Sequence, residues 1–454
     1  MSEPLLATSL SPAVVVAAAL GAALVIAALV VLMRRHGQAF PLLAILALPF
    51  RLPISASGRT VNLLIPLYLV VGAGVLAHLL PRLRAREQRG LGTLEWLLLA
   101  SIVLYAVQGA YSSDKAKAAE NLAFFYVPFA LLFVLLRDVR WTRELALRCL
   151  AVAVALAVVF AGIGFVEYAR KELFLNPKVV AANEYDNYFR VNSLFFDPNI
   201  YGRFLALVMI AVIAIVLWRR RERDVLIAGA VLLWLLAGLV TSFSQSSIAA
   251  LLLGLAVLAA YRWSARAALS VAAVLAGLAL AVVLLAPASL HFGLKGSGGS
   301  ANNATTGRAK LVEGGLELFA DRPLQGYGSG SFQKEYEIHA RASVQNATSA
   351  SHTIPITVGA EQGIVGLALY VALLVVAFIT LFRGAGRSPP QVVIAACFAA
   401  LVLHTFAYAD FLEDPITWTL LGIGVALARG GLAGERGTRS LAARGPAVAA
   451  AAPE

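Results

Sequence analysis

Three basic side chains have types and positions suited to phosphate binding and proton transfer. Arg190 and Arg308 each lie near a helix-start signal, and a guanidinium group presents a rigid fork of donors that matches phosphate oxygens. His352 lies in "TSASHTIPITVGAEQG", residues 348 to 363. A histidine suits general base work because its unperturbed pKa is about 6.5. Together these residues predict an anion-binding site with a candidate general base.

Asp197, Arg203 and Glu361 lie near these three residues in the sequence, and each has a structural as well as a functional interpretation. In "FRVNSLFFDPNIYGRF", Asp197 before proline marks a turn and a helix start, and Arg203 follows one and a half turns later. A capped helix with interfacial arginines explains this stretch equally well. Glu361 has three interpretations: it orients a base, binds sugar hydroxyls, or caps a helix that begins near Gly363.

The histidine and the second arginine also have simpler interpretations. Arg308 alone is more often a solvated charge, and His352 alone an interfacial or capping residue. His339, in "EYEIHARAS", competes with His352 because it is expected on the same side of the membrane. The other histidines fall in a basic connection, within apolar segments or at a helix end.

Composition identifies the elements that must position these groups. The chain is 60% hydrophobic and only 14% charged, whereas soluble domains carry about 25% charged residues. Runs long enough to cross a bilayer recur throughout: 12–33, 39–56, 62–81, 95–111, 120–136, 146–167, 200–218, 225–242, 247–262, 267–290, 363–382, 390–407 and 414–428. The sequence therefore predicts an all-α polytopic membrane protein with about 12 to 13 transmembrane helices. The run 39–56 is the least secure, because Arg51 and Pro53 interrupt it, and it is re-entrant in the lower count.

Arginine placement predicts the orientation. The basic residues cluster in alternate connections, which are expected on the cytoplasmic side together with the C-terminus. This topology explains the formal net charge of +12 without nucleic acid. Cys149 and Cys397 lie inside apolar runs, so neither a disulfide framework nor a metal site has ligands to build from. No cofactor is expected.

Two long connections fall on the opposite, external face, at about 168–199 and 291–362. Loops longer than about 12 to 15 residues are uncommon unless they are functional. The second contains "GRAKLVEGGLELFADRPLQGYGSGSF", which reads as a helix starting after a Gly/Ser/Asn stretch and stopping at Pro323. Its "GYGSG" suits a tight turn or a close backbone approach to a ligand. This loop is therefore expected to contain short helices.

Three stretches together resemble the O-antigen ligase and polymerase superfamily, the WaaL and Wzy group of bacterial membrane glycosyltransferases. They are Arg190 with "DPN" at 197–199, the segment 307–332, and "SHTIPITVGAEQGIVG" at 351–366. The resemblance covers roughly residues 95 to 428. It implies a polyprenyl diphosphate-linked oligosaccharide donor, a glycan or lipid-linked acceptor, inversion at the anomeric carbon, and no metal or nucleotide sugar.

The resemblance also implies roles for individual residues. Arg190 and Arg308 would hold the diphosphate and His352 would be the catalytic base, with Arg203, Asp197 and Glu361 as supporting residues. One departure is that Gln245 in "TSFSQSS" stands where family members often have an arginine after serine. This puts the substrate subclass in doubt.

The expected organisation is N-terminal transmembrane helices at 1–94, a ligase-like membrane domain at 95–429, and a disordered cytoplasmic tail at 430–454. The expected location is the bacterial inner membrane, with the active site facing outside. Polymerase, ligase to lipid A core and protein O-glycosyltransferase remain alternatives. From other classes, a secondary transporter and a noncatalytic scaffold are rivals, although transporters usually bury ionisable residues near the bilayer midplane.

Overall fold

Long apolar helices make up nearly all of the structure. The computed structural model describes residues 12–56, 59–86, 90–175, 189–218, 221–264, 266, 270, 300–339, 353–408 and 410–430. In chain order, the elements are α1 (Pro12–Arg35), α2 (Ala39–Ala47), β1 (Leu52–Ala56), β2 (Arg59–Leu63), α3 (Ile65–Gly74), α4 (Leu80–Arg84), α5 (Thr93–Tyr111), α6 (Lys115–Asn121), α7 (Val127–Arg137), α8 (Arg143–Arg170), α9 (Pro198–Trp218), α10 (Glu222–Thr241), α11 (Gln245–Arg262), α12 (Ser300–Asp321), α13 (Phe332–His339), α14 (Ile354–Phe382), α15 (Pro389–Phe406) and α16 (Pro415–Gly430). Turns of π-helix, Val75–Leu79 and Leu122–Tyr126, make α3–α4 and α6–α7 continuous.

Within these ranges, 10 helices are long and apolar enough to cross a bilayer. They are α1, α3–α4, α5, α6–α7, α8, α9, α10, α11, α14 and α15. Helices satisfy their backbone polar groups internally, which a waterless hydrocarbon core demands. The predicted all-α polytopic membrane fold is confirmed, and the protein is an integral membrane protein.

Three predicted spans are not among the ten. The run 267–290 lies outside the described residues except for Ser270. The run 414–428 forms α16, which has only 16 residues and therefore extends about 24 Å, short for a span. The run 39–56 behaves differently from a membrane-spanning helix.

The prediction of one helix over 39–56 is wrong. Helix α2 has only 9 residues, and β1 then pairs with β2 as an antiparallel hairpin in which Pro53 lies opposite Asn62. Proline lacks a backbone N–H, which excludes it from a helix interior but not from an edge strand. Arg51 and Asn62 line the large cavity described below, where non-helical backbone is tolerated at membrane depth.

Helix α9 is the centre of the bundle and packs against α8, α10, α11 and α15. It is buried on nearly every side from Pro198 to Ile210. Small residues permit the close approach: a Cβ on Gly254 of α11 would lie 2.2 Å from Ile210 Cδ1. Such contacts replace the hydrophobic driving force that is missing between helices in lipid.

The bundle has two chemically different ends. At the arginine-rich end, Glu95 Oε1 lies 3.4 Å from Arg137 Nη1 and 2.6 Å from Arg429 Nη2. Asp138 pairs there with Arg82 at 3.1 Å. The opposite end holds the starts of α6, α9, α11 and α14, and we call it the cavity end.

Candidate active site

Two chain segments cross at the cavity end with direct backbone contact. Gly326, Gly328 and Gly330 of "GYGSG" have φ values of 65°, 97° and 75°. Gly328 N donates to Glu361 O at 2.8 Å, and a Cβ on Gly326 would lie 2.3 Å from the same oxygen. The predicted close backbone approach therefore exists, and its partner is helix α14.

Helix α14 is broken where the loop crosses it. Gly363 has φ 65° and ψ −163°, outside the helical region, and its Cβ position lies 2.3 Å from Leu324 O. The break frees Ile364 N to donate to Pro323 O at 2.7 Å. Gly363 divides α14 into two helical segments, so a segment does begin near Gly363 as predicted, although α14 as a whole begins earlier, at Ile354. Helix α12 begins at Ser300, inside the Gly/Ser/Asn stretch rather than after it, and ends at Asp321, just before the predicted stop.

The Glu361 carboxylate fastens the loop to α14. Its Oε2 accepts from Gly330 N at 2.9 Å and its Oε1 from Phe332 N at 3.1 Å. The residue is 8% exposed. Glu361 thus caps the start of α13, a partner that none of its three predicted roles named.

A cavity of about 890 Å³ opens beside this crossing. Its lining comes from α5, α6–α7, α13, α14, the hairpin region and the loop between α15 and α16. Aromatic residues form part of the wall, and these are Tyr105, Phe125, Tyr126, Tyr370 and Phe411. The charged lining residues are Arg51, Asp114, Lys117, Glu120, Lys334, Glu337, Glu361, Asp410 and Glu413. The volume fits a ligand of several sugar rings or similar size.

Arg190 lies at the same end, at the start of α9. Its Nε donates to Ser242 O at 3.2 Å and its Nη2 to Asn199 Oδ1 at 3.2 Å. Asp197 Oδ1 accepts from Asn199 N at 2.6 Å, which is the predicted turn before α9. Ser244 Oγ donates to the same Asn199 oxygen at 3.0 Å. Asn199 therefore orients the Arg190 guanidinium.

His404 extends this network into the bundle, a role that the sequence did not indicate. Its Nε2 lies 3.2 Å from both Ser246 Oγ and Ser247 Oγ, and Ser247 Oγ lies 2.7 Å from Ser244 Oγ. His404 is fully buried. An ionisable residue within an apolar segment is itself a functional signal, and that was the only sequence feature that marked it.

Arg203 is held in a buried ion pair. Its Nη2 lies 2.9 Å from Asp414 Oδ2, and the two side chains are 1% and 2% exposed. Asp414 Oδ1 also accepts from Ile416 N at 3.0 Å, at the start of α16. This places Arg203 behind the cavity rather than in its lining.

The loop between α15 and α16 contacts both Arg203, through Asp414, and the cavity. Asp410 and Glu413 of this loop line the cavity, and Asn121 Nδ2 donates to Glu413 Oε1 at 2.8 Å and to Tyr105 Oη at 2.9 Å. Burial raises the pKa of Glu413, and the nearby Asp410 raises it further. Burial also raises the pKa of Tyr408, and Asp197 adds to the rise.

The structure describes the remaining predicted residues only in part. His352 and the side chain of Arg308 lie outside the described residues, although Arg308 is within α12. Thr353, which follows His352, donates to Phe406 O at 3.3 Å. His339 ends α13, with Nε2 3.3 Å from Tyr327 Oη.

Helices α12 and α14 run in the same direction where they meet. Gly315 lies against Ile356, and Gly359 lies against Phe319. One turn earlier on α12 is Leu311, which is buried in the small cluster that also contains Phe332 and Ala360. This register places the first turn of α14 beside the middle of α12, around Gly315.

The described residues form the polytopic helical bundle of an integral membrane protein, with a charged cavity of about 890 Å³ at one end. Residues 230–371 match the family model described as O-antigen ligase. This match confirms the resemblance to the O-antigen ligase and polymerase superfamily. It contains Glu361 and the positions of Arg308 and His352, whereas Arg190, Arg203 and His404 lie outside it. A comparison with curated proteins found no match.

Proposed function

We propose that this protein is an inverting, metal-independent membrane glycosyltransferase. It transfers or polymerises a glycan from a polyprenyl diphosphate-linked donor during cell-surface polysaccharide synthesis. The observation that carries the proposal is that the family match includes one wall of the cavity, formed by the "GYGSG" loop, α13 and the first half of α14. In this proposal, residues 95–429 form the catalytic membrane domain, after the N-terminal helices at 1–94 and before a cytoplasmic tail at 430–454.

The positive-inside rule supports an external site. Arg82, Arg137 and Arg429 meet at one end of the bundle, and basic residues accumulate on the cytoplasmic side. The cavity lies at the other end. The proposal therefore places the active site at the outer face of the bacterial cytoplasmic membrane and the C-terminus inside.

The proposed donor site uses Arg190 and Arg308. Arg190 is pre-oriented by Asn199 and the Ser242 carbonyl, which lowers the entropic cost of gripping a diphosphate. Ser244 keeps the serine of the family's serine-arginine pair, and Gln245 begins α11. These fixed cations stabilise the negative charge that grows on the leaving diphosphate, and stabilisation of this kind often contributes more to catalysis than any other effect.

The proposed base is His352. It precedes Thr353, the N-cap position of α14, and Arg308 lies one turn before Leu311 on α12. The proposal requires His352 and Arg308 to share one site, which the parallel packing of Gly315 against Ile356 supports. His352 would take the proton from the acceptor hydroxyl as that oxygen attacks the anomeric carbon from the face opposite the diphosphate. A general base of this kind contributes about 10² to 10⁴ in rate.

Reconstitution tests the reaction. The purified protein in proteoliposomes is given polyprenyl diphosphate oligosaccharides and candidate acceptors, and product length and free lipid diphosphate are measured. A polymer ladder indicates a polymerase, single transfer to lipid A core a ligase, and transfer to a side-chain hydroxyl a protein O-glycosyltransferase. If no acceptor yields free lipid diphosphate, the transferase proposal is wrong.

Variants assign the roles. His352→Ala should abolish transfer and leave donor binding intact, and Arg190→Ala should weaken donor binding. His36→Ala, at the arginine-rich end, is the matched control and should match the wild type. If His339→Ala abolishes transfer and His352→Ala does not, the base is His339.

A specific observation keeps secondary transport as a second candidate. The buried Arg203–Asp414 pair, buried His404 and the break of α14 at Gly363 are features that transporters also use. Vesicles loaded with a labelled oligosaccharide distinguish the two functions. Transport predicts movement of unaltered solute across the bilayer, whereas transfer predicts release of lipid diphosphate on the outer side.

A further inference from the structure

The cavity lining carries more acidic than basic groups. Six carboxylates line it, on Asp114, Glu120, Glu337, Glu361, Asp410 and Glu413, against three cations on Arg51, Lys117 and Lys334. Lys117 and Glu120 neutralise each other, since Lys117 Nζ lies 2.6 Å from Glu120 Oε1, which leaves five acidic groups against two cations. Lys334 keeps its charge while its Nζ donates to Ser113 O at 2.6 Å. Glu361 is occupied by two backbone N–H groups, and burial raises the pKa of Glu413 to about 8. The acidic excess of the described lining therefore depends on Asp114, Glu337 and Asp410, against Arg51 and Lys334.

We propose that this cavity binds the glycan portion of a substrate, and that it selects neutral or amine-bearing sugars over sugars that carry carboxylates. This inference rests on the proposed function, because it takes the cavity as the glycan site of the transferase. The diphosphate of the donor would lie outside the cavity, toward Arg190, which is not among the lining residues. Charge thus separates the two parts of one lipid-linked substrate.

The hydrogen-bonding groups of the cavity wall also favour neutral or amine-bearing sugars over sugars that carry carboxylates. Carboxylates only accept hydrogen bonds, and sugar hydroxyls and ammonium groups donate them. Asn121 uses its Nδ2 on Tyr105 and Glu413, and its Oδ1 has no hydrogen-bond partner among the described residues. The deep wall of the cavity is therefore rich in acceptors. A carboxylate sugar would bring more acceptors to this wall, together with a like charge.

The loop between α15 and α16 contributes two neighbouring acidic groups to the cavity lining. Asp410 and Glu413 both line the cavity there, and burial raises the pKa of Glu413, with repulsion from Asp410 adding to the rise. A cationic group on a ligand would relieve this repulsion, and an anionic group would increase it. The aromatic wall, including Tyr126 and Phe411, adds apolar surface for the faces of the sugar rings.

The test measures binding of free oligosaccharides without turnover. Three trisaccharides that differ in one substituent, as an amine, an N-acetyl group or a carboxylate, are titrated into the full-length protein in nanodiscs at low salt. We expect the carboxylate form to bind about tenfold more weakly than the N-acetyl form, and the amine form to bind at least as tightly as the N-acetyl form. Raising the salt concentration should narrow the differences, because salt screens charges in an open cavity. Equal or tighter binding of the carboxylate form overturns the inference.

Variants locate the selectivity. Asp410→Asn should reduce the discrimination between the N-acetyl and carboxylate forms several-fold. Glu413→Gln should reduce it less, because burial raises the pKa of Glu413 to about 8 and favours the neutral carboxyl near pH 7. Asp410 has φ 72°, a left-handed conformation that asparagine accepts, so this variant should remain folded even if Glu413→Gln does not. Glu144→Gln, exposed at the arginine-rich end, is the matched control and should leave the discrimination unchanged. If Asp410→Asn behaves like the control, the assignment to this loop is wrong.

This test separates the inference from the proposed reaction. Selective binding without transfer to any acceptor would remove the transferase proposal and keep the glycan site. Transfer with a preference for carboxylate-bearing donors would keep the transferase and overturn the selectivity.

Discussion

Neutralising Asp414 should leave the buried charge of Arg203 without its ion-pair partner. The two side chains are 2% and 1% exposed, and their charged atoms are 2.9 Å apart. Asp414→Asn keeps an oxygen to accept from Ile416 N, so the cap of α16 can survive the change. Arginine stays protonated at any accessible pH. The substitution therefore isolates the cost of an unpaired guanidinium in the bundle.

Breaking a buried pair from one side costs about 3 to 5 kcal/mol, whereas replacing both partners is often neutral. Arg203→Met should cost less than Asp414→Asn, because the remaining carboxyl can take up a proton. Burial already raises the pKa of Asp414, although Arg203 opposes the rise. With a raised folded pKa, the carboxyl favours the folded state below its ordinary value of 3.8, and this advantage is lost as pH increases. Arg203→Met should therefore lose more stability at pH 8 than at pH 5.

The assay is thermal or denaturant unfolding of the purified protein in detergent, followed by the intact fraction on size exclusion. The double variant Arg203→Met with Asp414→Asn should recover most of the loss seen in Asp414→Asn. If it is as unstable as Asp414→Asn, or if Asp414→Asn lies within about 0.5 kcal/mol of the wild type, the buried-pair argument is refuted. Transfer activity measured on the double variant decides the role of Arg203. Recovered activity indicates a structural role, and lost activity with recovered stability indicates a supporting role in the site.

Four further outcomes are expected. Glu361→Ala removes two acceptors of backbone N–H groups and should lower stability by about 2 to 4 kcal/mol in denaturant unfolding, with Glu361→Gln losing about half as much. Gly363→Ala forces a Cβ to 2.3 Å from a carbonyl oxygen at φ 65° and should sharply reduce the folded yield; a normal yield would contradict the close crossing. Asn199→Ala releases Nη2 of Arg190 and should raise the donor KM several-fold with a smaller change in kcat, as initial-rate kinetics would show. Burial raises the pKa of Glu413 above 4.5, so stability should fall as pH rises from that value toward the raised one, and Glu413→Gln should flatten this slope in unfolding measured across pH.

Much of the fold is predictable because bilayer crossing depends on local composition. Runs of apolar residues fix most helices within a few positions, and arginine placement fixes which helix ends meet. The predictions differ from the structure where a residue type is compatible with two local conformations. Pro53 could break a helix or enter an edge strand, and its pairing with Asn62 decides for the strand. Gly363 does precede a helical segment, as predicted, but a second segment from Ile354 leads into it, and the loop crosses at the kink between the two.

The candidate site is less predictable, because its geometry depends on long-range partners. Arg190 and "DPN" indicated a polar helix start, and Asn199 does orient Arg190. Nothing in the order of residues joins His404 to Ser247, which are 157 positions apart. The placing of Arg203 against Asp414 likewise depends on the packing of α9 beside the start of α16.

The sequence by itself determined that this chain lies in a membrane and that it consists mainly of helices, and it predicted that its two long polar connections share one face. These properties follow from transfer free energies and helix length, which are sums over neighbouring residues. Tertiary structure alone decided that Glu361 caps α13, that the second apolar run gives way to a hairpin, and that a mainly acidic cavity adjoins an arginine network. These properties depend on which polar groups find each other when helices pack, because a polar group buried without a partner costs several kcal/mol in hydrocarbon.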